Sequence, residues 1–321
     1  MALPTLIACR ICEGAIARSM VVQEMMFGSR TEFLYRQCAA CDCLQIDTFP
    51  PDIARHYPSG YYSFNLTPAG ALKRWRRGLR RKWVLSASTS AVNLLKYFSR
   101  ADDMFHVYRD LGVGLKSRVL DVGAGAGSHV LEMRDAGVTA AVGVDAFVPE
   151  DISWRGQILV RKGTLDGLAG NFDLVTFHHS FEHMPDQIRT LALTRGLLAP
   201  GGRILVRVPT VTSEAFDIYQ DHWVQLDAPR HFYLHSHRSI EIAASKAGLA
   251  VSALWCDSSE LQFMASEQYR RGISLFDPRS VVVNKRSTLF SADEKAAFGA
   301  RTRELNRTLR GDQINVVLRA A

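Results

Sequence analysis

Residues 119–127 read Val-Leu-Asp-Val-Gly-Ala-Gly-Ala-Gly, a short apolar strand that runs into Asp121 and then meets three glycines at alternate positions. Without Cβ atoms at Gly123, Gly125 and Gly127 the backbone can turn sharply off the strand and admit a ligand to contact distance. A helix starting there offers its unpaired N–H groups to that ligand. This confines the chain to an α/β fold with a nucleotide at the carboxyl edge of a parallel sheet. Asp121 narrows the ligand further. A carboxylate just ahead of the glycines repels a dinucleotide pyrophosphate, but it suits the cationic amino-acid end of S-adenosylmethionine, directly or through water.

One glycine-rich turn is a weak signal, and its weight depends on the elements around it. Residues 141–145, Ala-Val-Gly-Val-Asp, form a second apolar strand ending in an acid. Asp145 lies about 20 residues beyond the glycines, where a carboxylate can accept both ribose hydroxyls. A third strand over 158–161 leads to Gly163, Thr164 and Leu165, a turn expected to lie along the adenine. A fourth strand follows at 172–177, and a Pro-Gly-Gly turn within 197–208 launches a fifth. Ser236 is placed to cap a helix that ends before Gly248, and strands are expected at 249–255 and 311–319. In this order of parts the chain resembles the class I methyltransferases. The resemblance implies a doubly wound, Rossmann-like α/β sheet whose last strand is antiparallel and inserts between its two predecessors. Residues 101–321 would form this domain, with 257–312 a largely helical insertion over the acceptor pocket.

Cysteine placement adds a second module. Five of the six cysteines lie before residue 44. Cys9-Arg-Ile-Cys12 and Cys38-Ala-Ala-Cys41 are two C-x-x-C knuckles, the arrangement of a four-thiolate zinc ribbon over residues 1–48. With four thiolates bound the ion has no open position, so the expected role is structural. Cys43 is a spare thiol that could replace Cys41 by a small shift. A redox dithiol is the competing reading of C-x-x-C, but such a motif sits singly at a helix start. Cys256, beside an expected strand, reads as a small core residue.

Residues 49–100 read as a linker and a basic helix. Phe49-Pro-Pro interrupts the chain, and Tyr61 and Tyr62 carry polar tips that could reach an active-site mouth or cover a seam between domains. Residues 72–83 then hold Lys73, Arg74, Arg76, Arg77, Arg80, Arg81 and Lys82 with no acid among them, equal to the whole chain's formal excess of +7. Leu72, Trp75, Leu79 and Trp83 recur at helical spacing, so one reading packs that stripe on the domain and leaves a solvated basic face. The other offers the basic face to anionic lipid, nucleic acid or a diphosphate-bearing substrate. No segment approaches membrane-span length, and Met1 to Leu6 lacks a basic start followed by an apolar run. A cytoplasmic protein is expected, peripheral at the inner membrane surface if the helix docks there.

The acceptor side is less sharply written. The fourth strand ends in His178-His179-Ser-Phe-Glu182-His183, which should border the transferred methyl. His179 is expected on the cofactor side, with Glu182 and His183 either a catalytic pair or a hydrogen-bonded pair holding the loop. No Asn-Pro-Pro-Tyr-like sequence marks a methylase of exocyclic base nitrogens. Beyond the fifth strand, Ala-Pro-Arg230-His231 provides a second candidate. The ribbon, the tyrosine segment, the Glu182-His183 pair and this region together resemble a bacterial group that includes deoxysugar C-methyltransferases and polysaccharide-biosynthesis methyltransferases. That resemblance implies a sugar or glycan acceptor, lipid-linked in one version, with His231 as base and His183 in reserve. Where the deoxysugar enzymes carry Glu-His this chain carries Arg230-His231, and an arginine there suits an acceptor carboxylate or phosphate. An RNA methyltransferase, and a non-catalytic ribbon protein that keeps only cofactor binding, are the alternatives.

Overall fold

Two β-sheets share one apolar core in the computed structural model, which describes residues 6–57, 62–66, 68–86 and 103–321. The N-terminal module is an antiparallel sheet of β1 (Ile16–Gln23), β2 (Glu32–Cys38) and β3 (Leu44–Ile46). After α1 (Ala71–Ser86) and α2 (Asp103–Asp110) the second sheet begins with β4 (Val119–Val122), all four of whose residues are buried. Burial on both faces is what a central parallel strand requires, and it explains the unbroken apolar run. The glycine turn then starts α3 (Ser128–Asp135), followed by β5 (Ala141–Asp145), β6 (Ile152–Trp154), β7 (Gln157–Lys162) and β8 (Phe172–His178). Next come α4 (Gln187–Gly196), β9 (Leu198–Pro209) and α5 (Glu214–Tyr219).

A two-residue strand, β10 (Tyr233–Leu234), leaves the large domain and pairs antiparallel with β3, closing the small sheet in the order β1-β2-β3-β10. Tyr35 of β2 is fully buried and its hydroxyl donates to the His231 carbonyl at 2.8 Å. The cysteine module is therefore built into the larger domain rather than tethered to it.

The chain continues through α6 (His237–Lys246), β11 (Leu249–Cys256), α7 (Leu261–Arg270), α8 (Ala292–Arg307) and β12 (Gln313–Ala320). Ser236 caps α6 reciprocally with Ser239, as its hydroxyl and position suggest. The large sheet has the order β11-β12-β9-β8-β4-β5-β7-β6, with β12 antiparallel between β9 and β11. This is the doubly wound α/β arrangement expected from the sequence. The short edge strand β6, antiparallel to β7, is an addition that the apolar pattern did not announce.

Helix α1 corrects one expectation. Of the stripe only Trp83 packs against the core, while Leu72, Trp75 and Leu79 are 69%, 61% and 48% exposed. The inward face instead carries Gly78, Arg81, Val84 and Leu85. Arg74 makes two hydrogen bonds to Asp135, at 2.8 and 2.6 Å, and Arg81 reaches Glu132 at 3.1 Å. Two acids of α3, together with the burial of Val84 and Leu85, select the face that docks. Gly78 lets the helices touch there, since a Cβ would run into the Asp135 carbonyl.

Candidate active site

A cavity of about 800 Å³ opens at the carboxyl ends of β4, β5 and β8. This is the edge where doubly wound sheets hold ligands, and the size suits a nucleoside-bearing cofactor with a small acceptor. Gly123, Gly125, Asp145, Phe147, Thr164 and Leu165 line its cofactor end. His179, His183, Gln225, Asp227 and His231 line the other. Met26 of the cysteine module, Tyr57, Ser63 and Phe64 of the linker, and Gln262 and Leu275 of the 257–312 segment close it from above. Four separate stretches of chain thus enclose one space.

The glycines divide their work. Gly123, Gly125 and Gly127 have φ of 72°, 53° and 83°, in the left-handed region that side chains resist. Gly127 faces Val160 and Leu159 of β7, so its role is close packing of the turn on the sheet. Gly125 is crowded by the Ser63 carbonyl, which also accepts the Ala126 N–H at 2.8 Å. The linker thereby lies directly on the loop. Asp145 accepts the Gly125 N–H and the Phe147 N–H at 2.8 Å each, which fixes its carboxylate at the cavity wall. Asp121 is not on that wall. It is buried behind the loop and accepts from Thr176 Oγ1 at 2.7 Å, and burial lifts its pKa to about 7 despite that hydrogen bond.

At the acceptor end, His179 adopts φ of 50° and takes a hydrogen bond on Nε2 from Arg207 at 3.1 Å. That leaves its Nδ1–H toward Glu182, 3.5 Å away. Glu182 is 0% exposed and neither carboxylate oxygen has a hydrogen-bond partner. Burial opposes its ionisation, but His179, His183 and His231 outweigh burial and hold its pKa near about 2. His231 donates Nδ1–H to the Gln225 carbonyl at 2.7 Å, and its Nε2 stands 3.8 Å from both Glu182 and Asp227. Burial lowers its pKa to about 4, so the imidazole is neutral near pH 7 with a bare Nε2. His183 places Nδ1 2.7 Å from the Arg230 carbonyl, and the two imidazole rings are 4.8 Å apart.

Arg230 corrects another expectation. It is 1% exposed and does not line the cavity; its guanidinium binds Asp227 at 2.6 Å, Glu24 at 2.8 Å and the His56 carbonyl at 3.0 Å. With its donors spent on the protein's own oxygens it cannot clamp an acceptor anion; it ties the cysteine module to the loop that carries His231. Asp227 and Glu24 also keep it charged in spite of burial. Tyr61 lies outside the described residues. Tyr62 belongs to a turn with Ser63 and Phe64 over the glycine loop, and its side chain likewise lies outside them. Phe64, Asp227 and Gln225 were not singled out in the sequence, whereas Tyr57 belongs to the tyrosine segment expected near the active-site mouth. Asp227, four residues before His231, carried the readable signal.

The Sγ atoms of Cys9, Cys12, Cys38 and Cys41 lie within 4.8 Å of one another, with Cys9 to Cys41 at 3.6 Å and Cys12 to Cys38 at 3.4 Å. A tetrahedral zinc with bonds of about 2.3 Å sets such edges near 3.8 Å. Gln45 Nε2 and the Ile11 N–H direct hydrogens at Cys9 Sγ, and the Ala40 N–H does the same for Cys38, as coordinated thiolates require. The cluster fits a zinc ribbon. Cys43 is buried outside it, so Cys41 completes the set.

A ubiquinone biosynthesis O-methyltransferase of Azotobacter vinelandii is 32% identical over 97 residues, 27% of this chain and 42% of that protein. The match therefore spans less than half of that relative. An S-adenosylmethionine-dependent methyltransferase from Mesorhizobium loti is similar in structure at 15% identity, over 68% of this chain and 98% of that one, with a TM-score of 0.42. One from Archaeoglobus fulgidus is similar at 19% identity, over 72% and 99% of the two chains, with a TM-score of 0.42. The model of the methyltransferase domain family matches residues 91–254, just over half of the chain, and spans the glycine loop, Asp145 and the Glu182, His183 and His231 wall. This chain belongs to the methyltransferase domain family.

Proposed function

We propose that this enzyme methylates a hydroxyl or carbon of a sugar or glycan acceptor held against His231 and His183. The observation that carries the reading is the neutral His231, whose bare Nε2 faces the cavity beside two carboxylates at 3.8 Å. S-adenosylmethionine would supply an electrophilic methyl on a cationic sulfur, with Asp145 holding the ribose and Thr164 and Leu165 beside the adenine. The protein aligns the acceptor oxygen with that methyl and removes its proton. As the new oxygen–carbon bond forms, the sulfur–carbon electron pair returns to sulfur and the hydroxyl proton passes to His231 Nε2. Glu182 and Asp227 stabilise the imidazolium. Internal pairing of Arg230 removes the case for an anionic group at this spot, and a neutral polyhydroxylated acceptor fits the remaining wall. The four-cysteine cluster is read as a structural zinc that orients the His231 loop through β10 and Tyr35.

Methyl-labelled S-adenosylmethionine offered with glycan extracts and with RNA tests the assignment. Label in an alkali-stable glycan ether supports it, label in RNA alone overturns it, and cofactor binding with no product from any acceptor favours a non-catalytic role.

The outward face of α1 favours a lipid-linked acceptor. Leu72, Trp75 and Leu79 project beside Lys73, Arg76, Arg77 and Arg80, the composition of a helix lying at an anionic bilayer surface. No helix among the described residues is long and apolar enough to cross a membrane, so any such contact is peripheral.

A further inference from the structure

We infer that Glu182, His183 and His231 form a divalent-cation site on the acceptor wall, separate from the cysteine cluster. Their ligand atoms lie within 4.8 Å of one another. A small inward rotation brings them to the roughly 3 to 4 Å between neighbouring ligands of a bound ion. Two independent features point at a ligand that proteins supply with nothing else. The first is the Glu182 carboxylate, wholly buried, with neither oxygen in a hydrogen bond of normal length: His179 Nδ1 stands 3.5 Å away and the bare His231 Nε2 3.8 Å away. A buried carboxylate left in this state is rare unless a cation completes it.

The second feature is the pair of histidines. Each anchors Nδ1–H on a backbone carbonyl at 2.7 Å, His183 on Arg230 and His231 on Gln225. This fixes both tautomers and leaves the His231 Nε2 lone pair 3.8 Å from Glu182, the outer-shell arrangement that orients an imidazole toward a metal. Imidazole with carboxylate selects a first-row ion such as Mn²⁺, Fe²⁺ or Co²⁺ over a thiophilic one. Three protein ligands leave positions open, and His183 and His231 line the cavity. The open positions suit two neighbouring hydroxyls of one acceptor, a vicinal diol. Bound to the ion, a hydroxyl acidifies and releases its proton to cavity water, and its oxygen then forms the bond to the methyl carbon while the sulfur–carbon bond breaks.

The inference rests on the proposed reading of this wall as the acceptor site, and it replaces direct abstraction by His231 with acidification by the cation. The test titrates Mn²⁺ alone into the purified full-length protein, followed by electron paramagnetic resonance. The ribbon thiolates are poor ligands for this ion. The expected result is one Mn²⁺ per chain, with affinity weakened at least tenfold in Glu182→Gln and in His231→Asn while S-adenosylmethionine binding persists. Paramagnetic broadening of the His183 and His231 ring resonances in the unaltered protein gives the same answer without depending on a variant that folds. No Mn²⁺ uptake, or broadening elsewhere, overturns the cation site. Methyl transfer that then proceeds in the presence of a chelator leaves the His231 base reading intact, whereas loss of activity in His231→Asn with no metal effect assigns the proton to the imidazole.

Discussion

The two side-chain clusters that can hold a metal differ in how they are made. The thiolates of Cys9, Cys12, Cys38 and Cys41 come from two knuckles, each complete within four residues of chain. Glu182 and His183 follow β8, while His231 arrives from a loop beyond β9 and meets them only because Arg230, Asp227 and Glu24 lock that loop in place. The first cluster is closed by four ligands and belongs to the architecture. The second has three groups with a cavity beyond them, the geometry of a working site. A local cluster reveals itself by spacing, and a tertiary one does not.

The comparison can be broken most forcefully at the ribbon. Cys38→Ala should abolish stable folding of the whole chain and not only of residues 1–48, because the small sheet shares its core with the large domain. Zinc analysis with thermal unfolding checks this; a variant that loses zinc but keeps the melting temperature would show that the two units are independent. His231→Ala should leave the fold and cofactor affinity in place and lower kcat by about 10² to 10⁴, the usual share of a proton-removing group. Undiminished turnover would place the chemistry elsewhere in the cavity.

At the cofactor end, Asp145→Ala should weaken S-adenosylmethionine by about 1.5 to 3 kcal/mol by titration calorimetry. Unchanged binding would move the ribose off this residue. Asp121 supplies a pH test. Its folded pKa, about 7, lies above its unfolded value, so the protonated form favours the fold. That contribution is complete below about pH 4 and is lost as pH rises through about 7, at about 1.4 kcal/mol for each tenfold change in proton affinity. Urea unfolding of cofactor-free protein should show Asp121→Asn flattening that window. The smallest effect is expected at α1. Replacing Arg76, Arg77 and Arg80 with Gln should reduce binding to anionic vesicles at low salt, each charge counting for about 1 kcal/mol, without altering cofactor affinity. Loss of RNA binding with vesicle binding unchanged would reverse the acceptor assignment.

Where function depended on neighbours in sequence, the amino-acid order was enough. The strand-to-glycine turn at 119–127, the acid that ends β5 and the paired cysteine knuckles are short-range patterns whose geometry follows from backbone freedom and strand period, while the antiparallel last strand was legible only through the family resemblance. Three outcomes needed the folded chain. Arg230 looked like an anion clamp until Asp227 on the cavity wall and Glu24 of the cysteine module claimed its guanidinium. The apolar stripe of α1 looked like a packing face until Glu132 and Asp135 turned the helix around its axis. Glu182 looked equally like a loop tie and a catalytic acid until its oxygens proved to be buried without donors. For Arg230 and for the arginines of α1 an unpaired charge in the interior costs more than apolar contact gains, so the side chain's role is set by whichever opposite charge the tertiary fold brings near it.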